Sequence, residues 1–94
     1  MSVDLEEIKK EYTETLKRNG EIEFSYENHF YHIEPSSYDE KDKGFDIWQF
    51  SNSDGDDAKK IAEHLSIEAV LEEKAFNGKT ILEIENDMAD CVLR

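Results

Sequence analysis

The sequence predicts an α+β fold: an N-terminal helix, an antiparallel meander of three strands, or four if the last residues add one, then two or three short C-terminal helices packed on one face of the sheet. Three patterns favour this fold: an apolar stripe at helical spacing near the start, alternating apolar and polar residues in the middle, and helix-start signals near the end. A chain of 94 residues can bury one core but not two, so residues 1 to 94 are expected to form a single domain.

The first helix is predicted over residues 4 to 18. Its apolar side chains recur at spacings of three, four and four, on one face of an α-helix: Leu5, Ile8, Tyr12 and Leu16. Asp4 followed by Glu7 is similar to a capping box, and Asn19 with Gly20 supplies an end.

Two strands are predicted to form a hairpin, residues 21 to 26 (EIEFSY) and 29 to 33 (HFYHI), joined by Glu27 and Asn28. Asparagine tolerates the positive φ that a two-residue hairpin turn needs. With this turn, the predicted pairs place six side chains on one core face: Tyr26 with His29, Phe24 with Tyr31, and Ile22 with Ile33.

The segment after the hairpin predicts a third strand. The polar residues 34 to 44 are expected to form an exposed excursion before it. The strand itself, Phe45 to Phe50, is apolar on both faces, which is typical of a strand that is central or covered on both sides. After an acidic turn, residues 58 to 64 favour a short helix.

Two more helices are predicted near the end. Ser66 can cap one of them, which ends near Phe76. Thr80 with Glu83 forms a capping box that begins the other. The residues after Met88 are compatible with a continued helix, with coil or with a final strand.

Net charge restricts the kinds of partner. Eleven Lys and Arg against 24 Asp and Glu give a charge of −13, which repels phosphate backbones and anionic lipid surfaces. We therefore expect no direct binding of nucleic acid or membrane, whereas a basic protein partner is permitted. Cys91 is the one cysteine, and neither a signal-peptide pattern nor a membrane-spanning apolar run is present, which favours a cytoplasmic location.

Two blocks carry a resemblance, IEFSY with HFYHI and AFNGKTILEI at residues 75 to 84. Together they resemble a loose set of small, largely uncharacterised domains from Gram-positive bacteria and their phages. Those domains combine a Tyr-turn hairpin with a Phe-x-Gly-Lys-Ser/Thr-Leu-x-Glu-Ile segment. Here Glu27 and Asn28 replace the favoured Asn-Gly turn, and Ile81 stands at the leucine position. The resemblance implies an α+β fold in the bacterial cytoplasm, and it transfers no functional residue.

A cluster of His32 with three carboxylates is the main candidate for chemistry. Residues three apart on a strand point to opposite faces, so His29 and His32 cannot bind one metal ion together. On its own face His32 is paired with Glu23, and Glu21 and Glu34 lie beyond. These side chains are candidates for a metal or acid/base site; the alternative interpretation is a solvated sheet face.

The acidic turn at residues 51 to 57 is a weaker metal candidate, through Asp54 and Asp56. Counted from Asn52, they occupy the third and fifth positions of an EF-hand loop. The sixth position is Asp57, where an EF-hand requires glycine, so an ordinary acidic turn is the preferred interpretation.

No nucleophile, phosphate-loop or cofactor motif is found, so the chain is predicted to be non-enzymatic and to need no cofactor. The preferred hypothesis is a protein-interaction module that binds a basic partner, as an immunity protein, antitoxin or inhibitor does. Phe30, His32 and Trp48 would contact the partner if they share a sheet face, whereas packing of Trp48 under a helix is the alternative. Two further hypotheses stay open: a metal-binding or acid/base protein that uses the His/Glu cluster, and a structural homo-oligomer such as a homodimer.

Overall fold

The computed structural model describes residues 4–37 and 44–94, and most of the predicted polar excursion lies outside the described residues. The elements are, in chain order, α1 Leu5–Lys17, β1 Ile22–Tyr26, β2 His29–Pro35, β3 Phe45–Phe50, β4 Lys59–Leu65, α2 Ile67–Glu72 and β5 Ala89–Leu93. The strands form one five-stranded antiparallel sheet in the order β4-β3-β2-β1-β5. Neither described helix is long and apolar enough to cross a membrane.

Helix α1 begins as predicted. The carboxylate of Asp4 accepts hydrogen bonds from the backbone N–H groups of Glu6 and Glu7, at 3.1 and 3.3 Å. These bonds satisfy donors that the first helical turn leaves without partners. After the helix, Asn19 adopts a φ of 58°, and this left-handed residue turns the chain toward β1.

The predicted β1–β2 hairpin is confirmed, including its register. The observed pairs are Ile22 with Ile33, Glu23 with His32, Phe24 with Tyr31, Ser25 with Phe30, and Tyr26 with His29. The turn residues Glu27 and Asn28 have φ values of 47° and 65°, as a type I′ turn requires. His29 differs from its prediction, because at the end of the hairpin it is exposed and does not join the core.

One face of the sheet carries the hydrophobic core, and both helices pack against it. The buried apolar side chains of the sheet and helices form one cluster: Tyr12, Leu16, Ile22, Phe24, Tyr26, Tyr31, Ile33, Phe45, Ile47, Val70 and Leu71, joined by Phe76, Ile81 and Ile84. Within it the Phe76 ring meets Phe24 and Tyr31 edge-on, with centroids 5.2 and 5.0 Å apart.

The predicted meander of three or four strands followed by two or three helices is wrong. Residues 58 to 64, predicted as a short helix, belong mostly to strand β4. Ile61, Ala62 and Leu65 all pack against the core, although a regular strand would send adjacent residues to opposite faces. The register between β3 and β4 shifts twice, and such bulges bring neighbouring side chains to the same side.

The predicted C-terminal helices are mostly replaced by turns. Ser66 caps α2 as predicted, since its Oγ accepts a hydrogen bond of 3.1 Å from the N–H of Ala69, but the helix ends at Glu72. Thr80 and Glu83 make both contacts of the capping box, at 3.0 and 3.3 Å, yet turns follow. The chain must be extended again by Ala89 to pair with β1, which leaves too little length for a stable helix.

Candidate functional site

The second face of the sheet has no described helix over it, because both helices bury their side chains in the core on the other face. Strand alternation sends a mixed set of aromatic, acidic and basic side chains to this second face. We call it the open face and define it by Glu21, Glu23, Phe30, His32, Glu34, Asp46, Trp48, Phe50, Lys60, Val92 and Arg94.

One row of the open face crosses all five strands. The register pairs Lys60 with Trp48, Trp48 with His32, His32 with Glu23, and Glu23 with Val92. The row therefore passes from a cation through an aromatic ring and an imidazole to a carboxylate. Val92, at the end of the row, is 41% exposed.

His32 lies between carboxylates at the centre of this face. Its Nε2 is 3.4 Å from Glu21 Oε2 and 3.5 Å from Glu23 Oε1. The second oxygen of Glu23, Oε2, is 3.3 Å from Arg94 Nη2, so Glu23 contacts both an imidazole and a guanidinium. One ligand atom from each of Glu21, His32 and Glu34 lies within 4.8 Å of the others, a spacing that could hold a metal ion.

Asp46 and Lys60 occupy the neighbouring part of the face. Asp46 is buried, and its Oδ1 accepts hydrogen bonds from the Ser36 hydroxyl and from the backbone N–H of His64, the latter at 3.0 Å. Burial raises the pKa of Asp46, but these donors and Lys60 outweigh burial and hold the pKa below its ordinary value. Asp46 therefore stays ionised near neutral pH. Lys60 also contacts an aromatic ring, since its Nζ lies 5.2 Å from the centre of the Trp48 ring.

A groove of about 350 Å³ lies at the edge of the open face, beside the acidic turn. Phe30 and Phe50 of the open face are among the aromatic residues that line it, and its carboxylates come from Glu23, Asp54 and Asp90. A groove with this lining can accept an apolar stem that ends in a cation.

The acidic turn is held together by its own side chains. Asn52 Oδ1 accepts hydrogen bonds from the backbone N–H groups of Asp54 and Asp56, at 2.9 and 3.2 Å. Asn52 Nδ2 donates to Asp56 Oδ2 at 2.7 Å. Asp56 is thus engaged inside the turn, whereas Asp54 borders the groove.

The structure brings some of the predicted site residues together and separates others. Phe30, His32 and Trp48 share the open face. The hypothesis of a partner-binding surface required these three side chains to lie on one face. Of the metal candidates, His32 and Glu34 fall in the group with ligand spacing. Within residues 4–37 and 44–94, the candidates outside that group are Glu23, Asp54 and Asp56.

Sequence reasoning missed several residues of the site. Asp46 could have been predicted as a site residue, because it is the one charged residue in the apolar run FDIWQF. A buried charge in such a strand usually has a partner. Lys60 and Arg94 could not be placed, since β4 was predicted as a helix and the last residues had no assigned structure. Phe50 was predicted as part of strand β3, on the face that carries Trp48, and its place in the groove lining was not predicted.

The fold and site define a small α+β protein whose five-stranded antiparallel sheet is covered by helices on one face. Comparison of the chain with protein-family models, with curated proteins and with solved structures finds no match. The resemblance to small domains of Gram-positive bacteria and phages therefore stays a prediction.

Proposed function

We propose that the protein is a non-enzymatic binding module of the bacterial cytoplasm that engages a basic protein partner through the open face, in the manner of an immunity protein, antitoxin or inhibitor. The observation that carries the proposal is a sheet face without a described helix over it, with aromatic rings among carboxylates. Such a surface attracts a cationic partner and repels nucleic acid and anionic lipid.

The aromatic side chains supply the anchors for this contact. Phe30, Trp48 and Phe50 are each only partly buried, and none belongs to the core cluster. Aromatic residues are enriched at the centres of protein interfaces, where they bury a large area at little entropic cost. Lys60 already lies over the Trp48 ring. A lysine or arginine of the partner would make the same kind of contact with Phe30 and Phe50 in the groove.

The carboxylates supply the charge complementarity. Glu23, Asp54 and Asp90 border the groove, and the whole chain carries a charge of −13. Attraction between opposite charges speeds association, and salt weakens it because the Debye length is only about 8 Å at physiological ionic strength. Binding is therefore expected to weaken as salt is added, mainly through a slower association rate.

Self-association through the open face is less favourable than binding of a basic partner. Two copies placed face to face would bring carboxylates such as Glu23 and Asp90 of one copy near those of the other. Like charges across an interface cost free energy and are used to exclude wrong partners. The charge that favours a basic partner thus disfavours a homodimer through this face.

A titration followed by NMR tests the proposal with defined probes. A peptide rich in Lys and Arg is added to the isotopically labelled protein, with a peptide of matched length and inverted charge as the control. We expect the amide shifts to cluster at Phe30, Trp48 and Phe50, to diminish with added salt, and to be absent for the acidic peptide.

Two charge variants separate a specific site from general attraction. Asp54→Asn and Glu7→Gln each remove one negative charge, the first at the groove and the second on an exposed turn of α1. We expect Asp54→Asn to weaken binding and Glu7→Gln to leave it almost unchanged. Equal effects of the two variants, or shifts spread over the whole acidic surface, would refute a binding site on the open face.

A further inference from the structure

The ligand atoms of the Glu21, His32 and Glu34 cluster lie close to the spacing of a metal site. Two ligands bound about 2.0–2.1 Å from a tetrahedral zinc ion are separated by roughly 3.3 Å. His32 Nε2 and Glu21 Oε2 are 3.4 Å apart. One ligand atom of Glu34 falls within the same 4.8 Å group.

The state of His32 Nε2 is a second, independent observation. This atom is almost inaccessible to solvent and has no hydrogen-bond partner among the described residues, although carboxylates lie nearby. Buried polar atoms are nearly always satisfied, so one that is not requires an explanation. A proton on Nε2 can point to one acceptor only, whereas a metal ion can bind this nitrogen together with the carboxylates of Glu21 and Glu34.

The two strands hold these side chains in place. His32 and Glu34 alternate on β2 and so point to the same face, and Glu21 directly precedes β1, which pairs with β2. Arg94 occupies the second oxygen of Glu23, so the carboxylate on the other side of His32 already has a cationic partner. Glu23 is therefore expected to orient the site and not to bind the ion.

The ligand set indicates which ion fits. Imidazole nitrogen suits zinc and other late divalent transition metals, whereas magnesium and calcium prefer sites made of oxygen alone. The two carboxylates of Glu21 and Glu34 balance the charge of a divalent ion. A site with three protein ligands leaves at least one position for water or for a ligand from another molecule.

From this geometry we propose that Glu21, His32 and Glu34 form a binding site for a divalent transition-metal ion, with zinc as the representative ion. The site does not depend on the proposed basic partner, because all three ligands come from this chain. It adds a metal-binding activity to the open face.

Calorimetric titration of the full chain with zinc chloride, in excess magnesium chloride, tests the proposal. We expect one zinc ion bound per chain. Losing one ligand should weaken binding by more than the roughly 10- to 100-fold that an outer-shell partner is worth. His32→Asn, Glu21→Gln and Glu34→Gln should each show this larger loss, whereas Glu23→Gln should stay within the smaller range. Circular dichroism of each variant verifies folding, and the three ligand variants keep the test decisive if one of them unfolds.

Two matched variants provide the controls. His29→Asn removes an exposed histidine of the same strand, and Glu68→Gln removes an exposed carboxylate of α2. Both should bind zinc like the wild-type chain, while zinc should shift the imidazole NMR signals of His32 and not those of His29. The proposal is overturned if no stoichiometric binding is found, if magnesium abolishes it, or if His29→Asn weakens it as much as His32→Asn.

Discussion

Asp46 and Lys60 form an ion pair at the junction of β3 and β4, with Lys60 Nζ 3.4 Å from Asp46 Oδ2. The two ends of the pair have different surroundings. The Asp46 side chain is 9% exposed, whereas the Lys60 side chain is 36% exposed and also contacts Glu63. The buried partner therefore determines what the pair contributes, since exposed ion pairs contribute little.

Asp46→Asn is expected to destabilise the fold. The amide keeps one oxygen for Ser36 and the His64 N–H, but its NH₂ group then faces the ammonium of Lys60. Hydrogen bonds to a charged acceptor contribute more than neutral ones, so we expect a loss of about 1–3 kcal/mol in the free energy of unfolding. Urea unfolding near neutral pH measures it. Glu63→Gln, which removes the exposed carboxylate beside Lys60, should change stability little, and an equal loss in both variants would contradict the role of burial.

The stability that Asp46 contributes should also depend on pH. Its pKa in the folded protein is lowered from the ordinary value of 3.8, since donors outweigh burial. A lowered pKa means that the contribution is complete above pH 3.8 and is lost as the pH falls through the folded value. The stability difference between the wild-type chain and Asp46→Asn should therefore shrink below this pH. A difference that grows under acid conditions would contradict the assignment.

Asn28→Gly is expected to stabilise the hairpin. Asn28 has a φ of 65° in the second position of the type I′ turn, where glycine carries no Cβ penalty. We expect a gain of up to about 1 kcal/mol, seen as a higher midpoint of thermal unfolding. The control is Asn86→Gly, an exposed asparagine that is not among the residues with positive φ, where glycine should give no gain. Equal midpoints for the two variants would contradict the turn assignment.

The elements that the sequence predicted well are those with local causes. Helix α1 follows from its own stripe and from Asp4, and the β1–β2 register follows from a two-residue turn. The pairing of His32 with Glu23 could be predicted for the same reason, because the register fixes which residues lie side by side. Phe30 and His32 lie on the same side of β2 because side chains two residues apart on a strand point to the same face.

The elements that were missed depend on distant partners. The apolar residues of β4 and of the position before it have helical spacing: Ala58, Ile61, Ala62 and Leu65. The bulges that place those of β4 on one side of a strand arise only from pairing with β3. Strand β5 exists because β1 offers a free edge, and nothing within residues 89 to 93 specifies that edge. The contacts of Lys60 with Asp46 and of Arg94 with Glu23 therefore could not be predicted from the sequence.

Tyr12 connects α1 to the turns before β5, and its removal tests that connection. It is 1% exposed, and its hydroxyl donates to the carboxylate of Glu85. Burial raises the pKa of both groups, so Tyr12 stays a neutral donor. Tyr12→Phe leaves the half-buried carboxylate without this donor, and we expect a loss of about 1–3 kcal/mol.

Glu85→Gln gives the matched comparison for Tyr12→Phe. The raised pKa of Glu85 means that its ionised form is the disfavoured one, so stability should rise as the pH falls through the folded pKa toward the ordinary value of 4.5. A glutamine keeps an acceptor oxygen for Tyr12 without a buried charge, and Glu85→Gln should be tolerated at neutral pH. Denaturant unfolding of both single variants and the double variant measures the coupling. Additive losses would show that the two side chains do not interact.

Gly20 and Gly78 should respond differently to alanine. A Cβ at Gly20 would lie 2.7 Å from the backbone oxygen of Thr15, to which the Gly20 N–H donates a hydrogen bond of 2.8 Å, and 3.0 Å from the backbone carbon of Arg94. A Cβ at Gly78 meets nothing within 4 Å, so only its φ of 81° opposes the change. We expect Gly78→Ala to cost about 1–2 kcal/mol through its left-handed φ. Gly20→Ala should cost more, because backbone on both sides must move, and should disturb the amide signals of α1 and β5 together. A smaller loss for Gly20→Ala than for Gly78→Ala in denaturant unfolding would show that the end of α1 and the end of β5 are not packed as closely as described.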